Sequence, residues 1–273
     1  MGSTPQFDGY CREAPSAQTQ ADVAGHWIYK LPIEGVNSGA AEGFHDTNPT
    51  LSMARDAFGA IEGMSALELG AFEGNMTVAL DKSEIGSLVS IEARRFNFIK
   101  CLITKNLFHL NKVDFQLGDF IAYLEAPGPQ FDLCFAAGVL YHMTEPLRLI
   151  ELIAARCKRV VVATAYVAPQ IFTPELIADN SGLPWANWTF PDPQGEVIEY
   201  KGLAVRQYRM VYPWDEAAHF NVGAGGPATY SNMLTDTDIL RALKHFGFEL
   251  RGEVYNNPDA DRSPQLYCCA ERA

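Results

Sequence analysis

Long apolar runs are missing from this sequence. No uninterrupted stretch of its 273 residues approaches the roughly 18 needed to span a bilayer, so no membrane partner is expected. A surplus of positive charge is missing too: 21 Lys and Arg face 33 Asp and Glu, for a formal net charge of -12. Such a field repels phosphate backbones. Basic pairs such as Arg94-Arg95 and Lys158-Arg159 never extend into a long basic run, so nucleic acid is a disfavoured partner. The six cysteines, among them the adjacent Cys268-Cys269, show neither metal-ligand spacing nor a disulfide framework. They read as buried thiols in a reducing cytoplasm, with no metal site. Residues 1–20 are polar and lack the apolar centre of a secretory signal, which agrees with a cytoplasmic location. What remains is a globular composition, 48% hydrophobic and 20% charged, without internal repeats.

The chain is organised around Ser65-Ala66-Leu67-Glu68-Leu69-Gly70-Ala71-Phe72-Glu73-Gly74-Asn75-Met76-Thr77. Ala66 to Leu69 reads as a short buried strand, Gly70 breaks it, and helical spacing begins after Gly74. A strand that feeds a helix through a glycine turn presents backbone N–H groups and a helix N-terminus to a ligand. Glu68, at the strand's end, can accept from an amino group, which suits a ligand carrying an ammonium better than a pyrophosphate. The dinucleotide fingerprint would require glycine at 70, 72 and 75, but Phe72 and Asn75 stand at the last two, so an NAD-dependent dehydrogenase is a distant alternative.

Around this stretch, strand and helix alternate. Leu51, Ala54, Phe58 and Ile61 predict a helix before the first strand. Leu88–Ile91, Val113–Leu117, Phe131–Phe135 and Val160–Thr164 predict four further strands. Phe96, Ile99, Leu102, Ile103 and Leu107 give the helix after the second strand an apolar face, and Leu147, Ile150 and Ile153 mark another before the fifth. Strands this apolar are covered on both faces, and the alternation implies right-handed parallel crossovers. A stretch rich in Pro, Trp and Tyr then interrupts the pattern from 167 to 229. Thr235-x-x-Asp238 opens a last helix that Gly247 closes, and Phe248–Tyr255 and Gln265–Ala270 read as a final strand pair. The chain therefore divides into an N-terminal arm (1–48), a core (49–166), an inserted cap (167–229) and the C-terminal part of the core (230–273). Residues 1–25 look loosely structured.

Glu68 and its glycine turn resemble the first motif of class I S-adenosylmethionine (SAM) methyltransferases, with Phe72 in place of that motif's second glycine. The element order resembles the same family over residues 50–166 and 230–273. The resemblance implies an α/β, Rossmann-like seven-stranded sheet whose last strand is antiparallel, with a cap inserted after strand five. It implies SAM as cofactor, held by Glu68, Gly70, Ala71, Phe72 and Gly74, by Glu92 and Ala93 at the second strand, by Gly118, Asp119 and Phe120 at the third, and by Ala137 and Gly138 at the fourth. Glu92 would accept both ribose hydroxyls, and Asp119 would meet the adenine amino group with Phe120 against the ring. The string Gly138-Val139-Leu140-Tyr141-His142, with Pro146-Leu147 after it, resembles the tRNA wobble-uridine carboxymethyltransferases, in which the tyrosine matching Tyr141 helps hold a carboxylated SAM.

His142 is the candidate general base, the alternative being a histidine hydrogen-bonded into the loop that only shapes the pocket, and Tyr141 is its neighbour at the transferred methyl. The tryptophans and several tyrosines lie outside the core, so Trp27, Tyr29, Trp185, Trp188, Tyr200, Trp214 and His219 are candidate substrate wall, with Arg206 as a cation for an acidic substrate. The structural alternative is that these rings are the small core of the arm and cap. The expected activity is SAM-dependent methyl transfer to a small-molecule acceptor, such as a metabolite or a saccharide-type intermediate. The alternatives are a tRNA carboxymethyltransferase-like enzyme and a SAM-binding protein without transferase activity. Nothing in the sequence sets an oligomeric state.

Overall fold

The structure is a computed structural model that describes residues 11–45, 48–168, 189–192, 194–213, 225–226, 228–257 and 264–273. Five parallel strands are laid down first: β1 (Ser65–Leu69), β2 (Ser87–Glu92), β3 (Val113–Leu117), β4 (Phe131–Ala137) and β5 (Cys157–Ala165). Two more, β9 (Phe248–Asn257) and β10 (Gln265–Arg272), complete a seven-stranded sheet in the order β3-β2-β1-β4-β5-β10-β9. β10 runs antiparallel between β5 and β9, with a register shift between Tyr267 and Cys269. The fold expected from the sequence is the fold observed.

Alternate residues of each buried strand feed two cores. Leu67, Leu69, Cys134, Ala136, Val160 and Val162 pack on one face against α5 (Phe120–Glu125), α6 (Pro146–Arg156) and α7 (Asp236–His245). Ala66, Leu88, Leu133, Phe135 and Val161 pack on the other, against α1 (Ala17–Val23), α2 (Pro49–Phe58), α3 (Asn75–Lys82) and α4 (Arg95–Leu107). This division explains why the strands read as continuous apolar runs rather than alternating ones. Local chemistry starts the helices. The Asn48 side chain accepts from Thr50 N ahead of Pro49 in α2, and the Thr235 hydroxyl accepts from Asp238 N in α7.

The insertion contributes a three-stranded antiparallel sheet in the order β6-β7-β8, from β6 (Glu196–Tyr200), β7 (Leu203–Val211) and β8 (Tyr230–Leu234). Its own core holds Phe190, Tyr208, Met210, Tyr212 and Met233, packed on Ala165, Val167 and Tyr141. β8 is hydrogen-bonded to β7, so the insertion's sheet extends past the expected boundary at 229. The Asn232 N–H donates to the Met143 carbonyl at 2.8 Å, which fixes this sheet beside the end of β4.

Two sequence expectations are corrected here. Residues 17–23 form a helix capped by the Ser16 side chain inside the segment expected to be loose. The buried positions of α4 are Asn97, Lys100, Cys101 and Thr104, whereas Phe96 and Leu102 of the expected apolar face are exposed. Ile99, Ile103 and Leu107 of that face do pack against the core, but the most buried positions are largely polar, because Lys100 and Thr104 meet Glu73 there.

Candidate active site

The sheet order reverses between β1 and β4, and ligands of open α/β sheets bind outside the strand carboxyl ends at such a point. The turn after β1 lies there. Gly70 has φ 74°, and a Cβ on it would press into Val139 Cγ1 at 2.7 Å. Phe72 adopts the left-handed conformation too, at φ 57°, so the backbone keeps a glycine-like shape at the cost of about 1–2 kcal/mol. The ring of Tyr29 meets Phe72 edge-on at 5.9 Å and so packs against the strained residue.

α4 and the N-terminal arm hold this turn from behind. The Thr104 hydroxyl donates to the Glu73 carbonyl at 2.9 Å, and Cys101 Sγ lies 3.3 Å from the Phe72 carbonyl. Lys100 Nζ pairs with Glu73 Oε1 at 2.6 Å, with both side chains nearly inaccessible to water. The same carboxylate accepts the backbone N–H groups of Ile28 and Tyr29. The rings of Trp27 and Phe96 lie over the Lys100 ammonium at 5.6 and 4.9 Å. An isolated ion at this depth would cost several kcal/mol, and the pairing plus backbone donors offset that.

Three acids stand at successive strand ends. Glu68 is fully buried, and its Oε2 accepts from Thr77 at 2.6 Å and from Ser90 at 2.5 Å. Burial pushes its carboxyl up to about 7; the two hydroxyls oppose the shift and the Glu92 charge adds to it. Its Oε1 has no hydrogen-bond partner among the described residues. Glu92 is buried at the end of β2 and accepts from Phe72 N at 2.8 Å and Arg94 N at 2.7 Å. Burial raises its carboxyl as well, against those donors. Asp119 is exposed and caps α5 through Ile121 N at 2.8 Å. A Cβ on neighbouring Gly118 would meet only open space, and Ala93 is exposed. Phe120 begins α5 and packs partly against the core, so its ring is not simply presented to the cleft.

β4 ends in Ala137 and Gly138 (φ 76°), and a 3₁₀ turn at Leu140–His142 follows. The rings of Tyr141 and His142 lie 4.1 Å apart. Tyr141 is pushed up to about 12 by burial, with small contributions from Tyr212, Tyr29 and Tyr267 nearby. His142 Nδ1 is 2.6 Å from the Tyr212 hydroxyl. Burial holds Tyr212 up at about 12, against the Gly226 N–H, the Ser231 hydroxyl and the Arg94 charge. Arg94 Nη2 in turn donates to the Gly225 carbonyl at 3.2 Å, which ties the end of β2 to the insertion. Only glycine fits at 226, since a Cβ there would overlap the His142 carbonyl.

The structure thus gathers Glu68, Gly70, Ala71, Phe72, Gly74, Glu92, Ala93, Gly118, Asp119, Ala137, Gly138, Tyr141, His142 and Tyr29 at the carboxyl edge of the sheet. It does not bring the other described substrate candidates there. Trp27 is buried with Nε1 on the Ala21 carbonyl, Tyr200 donates to Glu151 of α6, and Arg206 binds the Gln194 and Gly195 carbonyls. Trp27 belongs to the core beneath the arm, Tyr200 packs against the core beside α6, and Arg206 is exposed on the insertion's sheet. Trp185, Trp188, Trp214 and His219 lie outside the described residues. Sequence reasoning missed Glu73, Lys100, Thr104 and Arg94, and it placed Tyr212 only among the aromatics. Polar residues at helical spacing (Asn97, Lys100, Thr104) were the available signal for the first group.

No family profile and no curated protein matches the sequence. Solved structures do match. The N-terminal domain of EvdMO1, crystallised in the presence of SAH and D-fucose, is 19% identical, with a TM-score of 0.68 over 94% of this chain and 95% of that domain. Magnesium protoporphyrin IX methyltransferase from Synechocystis with bound SAH is 14% identical, with a TM-score of 0.52 over 82% of this chain and 80% of that one. The [4+2]-cyclase SpnF is 15% identical, with a TM-score of 0.50 over 82% of this chain and 80% of that one. The seven-stranded sheet with its last strand antiparallel is the fold of the SAM-dependent methyltransferases, and this chain has that fold.

Proposed function

We propose that this protein is a SAM-dependent methyltransferase that acts on a hydroxyl group of a small-molecule acceptor. The observation that carries the reading is the convergence of Glu68, Glu92 and Asp119 around the Gly70–Gly74 turn, beside a hydrogen-bonded His142–Tyr212 pair. The residues fit the cofactor's chemistry. The unpaired Oε1 of Glu68 suits an ammonium, the paired oxygens of Glu92 suit a ribose diol, and the open space at Gly118 suits a purine edge beside Asp119. When bound, SAM supplies a methyl carbon that its sulfonium has already activated; the acceptor oxygen takes the methyl and the sulfur keeps the C–S electron pair.

The chain's own residues then have two tasks. Tyr29, Phe72 and Tyr141 wall the cleft against water, which an electrophilic methyl requires. His142 takes the acceptor's hydroxyl proton, a step worth roughly 10²–10⁴-fold in rate. His142 at the end of β4 favours transfer over mere cofactor binding. The shared fold cannot decide this alone, since SpnF is named for a cyclisation. Plain SAM is the donor in this reading. Two of the similar structures are named with SAH, and none of them with a carboxylated form. That the EvdMO1 domain was crystallised in the presence of D-fucose supports a deoxysugar-type acceptor. The test is methyl-labelled SAM incubated with D-fucose and related sugars, followed by mass spectrometry. A product heavier by one methylene, lost in His142→Asn, supports the reading; SAM binding without any such product favours a non-transferase role.

A further inference from the structure

Tyr29 lies across the crevice between β1 and β4. Its ring meets Phe72 on the turn after β1, and its hydroxyl is close enough to Tyr141, beyond the end of β4, to help raise that phenol. The arm's backbone on either side of it is tied down. The Glu73 carboxylate accepts the Ile28 and Tyr29 N–H groups at 2.9 Å each. From the other side, Lys30 N donates to the Ala41 carbonyl at 2.8 Å and Ala41 N to the Ile28 carbonyl at 3.1 Å. The returning segment lies so close that a Cβ on Gly39 would overlap the Ile28 carbonyl, and one on Gly43 the Tyr29 ring. The Asn75 side chain, at the start of α3, donates to the Gly43 carbonyl at 3.3 Å. The arm is therefore fastened to the glycine turn on both sides of Gly74.

We infer that Glu73 is a positioning residue: by holding the backbone at Ile28 and Tyr29, it keeps Tyr29 as a bar that traps the bound cofactor. The inference rests on the reading of this crevice as the SAM site. Glu73 directly follows Phe72, so the turn that would meet the cofactor also anchors the arm. The anchor is ionic. Glu73 and Lys100 are nearly inaccessible to water, 2.6 Å apart, with the rings of Trp27 and Phe96 over the ammonium. A buried ion pair comes close to breaking even against water, because the hydration it forgoes is as large as the attraction it gains. Lifting Trp27 and Tyr29 away would let water back to both ions, so this anchor opens at less cost than an apolar one of equal area. Such a balance suits a bar that must release product at every turnover. A glutamine could not replace the carboxylate, which uses Oε1 for Ile28 and Lys100 and Oε2 for Tyr29, because it has only one acceptor oxygen.

Hydrogen exchange without cofactor tests the anchor. In Glu73→Gln/Lys100→Met, which leaves no unpaired charge, the amides of Ile28 and Tyr29 should exchange roughly tenfold faster or more, while those of β1 and β4 keep wild-type protection. Stopped-flow displacement of SAH tests the consequence. SAH should leave this double variant and Tyr29→Ala roughly tenfold faster or more than it leaves wild type, with association not slowed. A purely structural role for Glu73 would lower stability without shortening the residence of SAH. Tyr29→Ala keeps the anchor, which is to backbone, so it decides the trapping even if the double variant fails to fold. Unchanged exchange at Ile28 and Tyr29, or unchanged SAH departure from Tyr29→Ala, overturns the inference. A wild type that binds no SAH would instead remove the cofactor reading, while exchange would still show whether Glu73 holds the arm, so the two failures are separable.

Discussion

Replacing Glu68 with Gln should let the protein gain stability relative to wild type as pH rises to 7 and above, and should make it poorer at binding SAM. Glu68 is fully buried and its carboxyl sits near 7 rather than 4.5, mainly because no water reaches it. Between those two values the folded chain keeps a proton that the unfolded chain has released. Stability therefore falls as pH rises through about 4.5 to 7 and levels off above, with none of this cost below about 4.5. Moving the carboxyl from 4.5 to about 7 amounts to about 3 kcal/mol, at about 1.36 kcal/mol per tenfold change in proton affinity. Glutamine keeps an oxygen for Thr77 and Ser90 but cannot ionise. Any constant cost of burying its NH₂ moves the curve vertically and leaves the slope alone. Urea unfolding at pH 4.5, 5.5, 6.5 and 8 should show the stability of Glu68→Gln, relative to wild type, rising by about 3 kcal/mol across the series. Parallel curves would refute the reasoning, because they would mean that Glu68 ionises in the fold as easily as in water.

Other predictions follow from the same contacts. Lys100→Met strands the Glu73 carboxylate and should cost about 3–5 kcal/mol in urea unfolding, with most of it recovered in Glu73→Gln/Lys100→Met. Gly226→Ala should leave SAM affinity within about twofold but depress turnover by roughly 10²-fold or more, since its Cβ would displace the His142 backbone. Total tRNA should show no measurable retention in a filter assay at physiological salt, since the net charge is -12 and Lys158 and Arg159 are paired with Asp132 and Glu271. Micromolar retention that weakens steeply with salt would revive the carboxymethyltransferase reading.

Much of the core was legible because its strands are short apolar runs between glycine turns and amphipathic helices. Val113–Leu117 was read with the bounds the structure gives, and the others within a few residues. The insertion's sheet was missed although Leu203 and Val205 turn toward one core and Tyr208 and Met210, out of phase with them, toward another, because the surrounding Pro, Trp and Tyr suggested loops. The glycine turn and strand-end acids were visible, since each follows directly from a strand boundary. The Glu73–Lys100 pair, 27 residues apart, was not, because a buried lysine has the same letter as a solvated one. The His142–Tyr212 contact bridges two sheets, and no local pattern encodes it.

Calorimetric titration with SAM tests the central claim most directly. The wild type should bind one SAM per chain, and Glu92→Ala, which removes the acid at the end of β2, should weaken that affinity by about 1.5–3 kcal/mol, or roughly 10–150-fold. No heat of binding in the wild type, or an unchanged affinity in a folded Glu92→Ala variant, would contradict it.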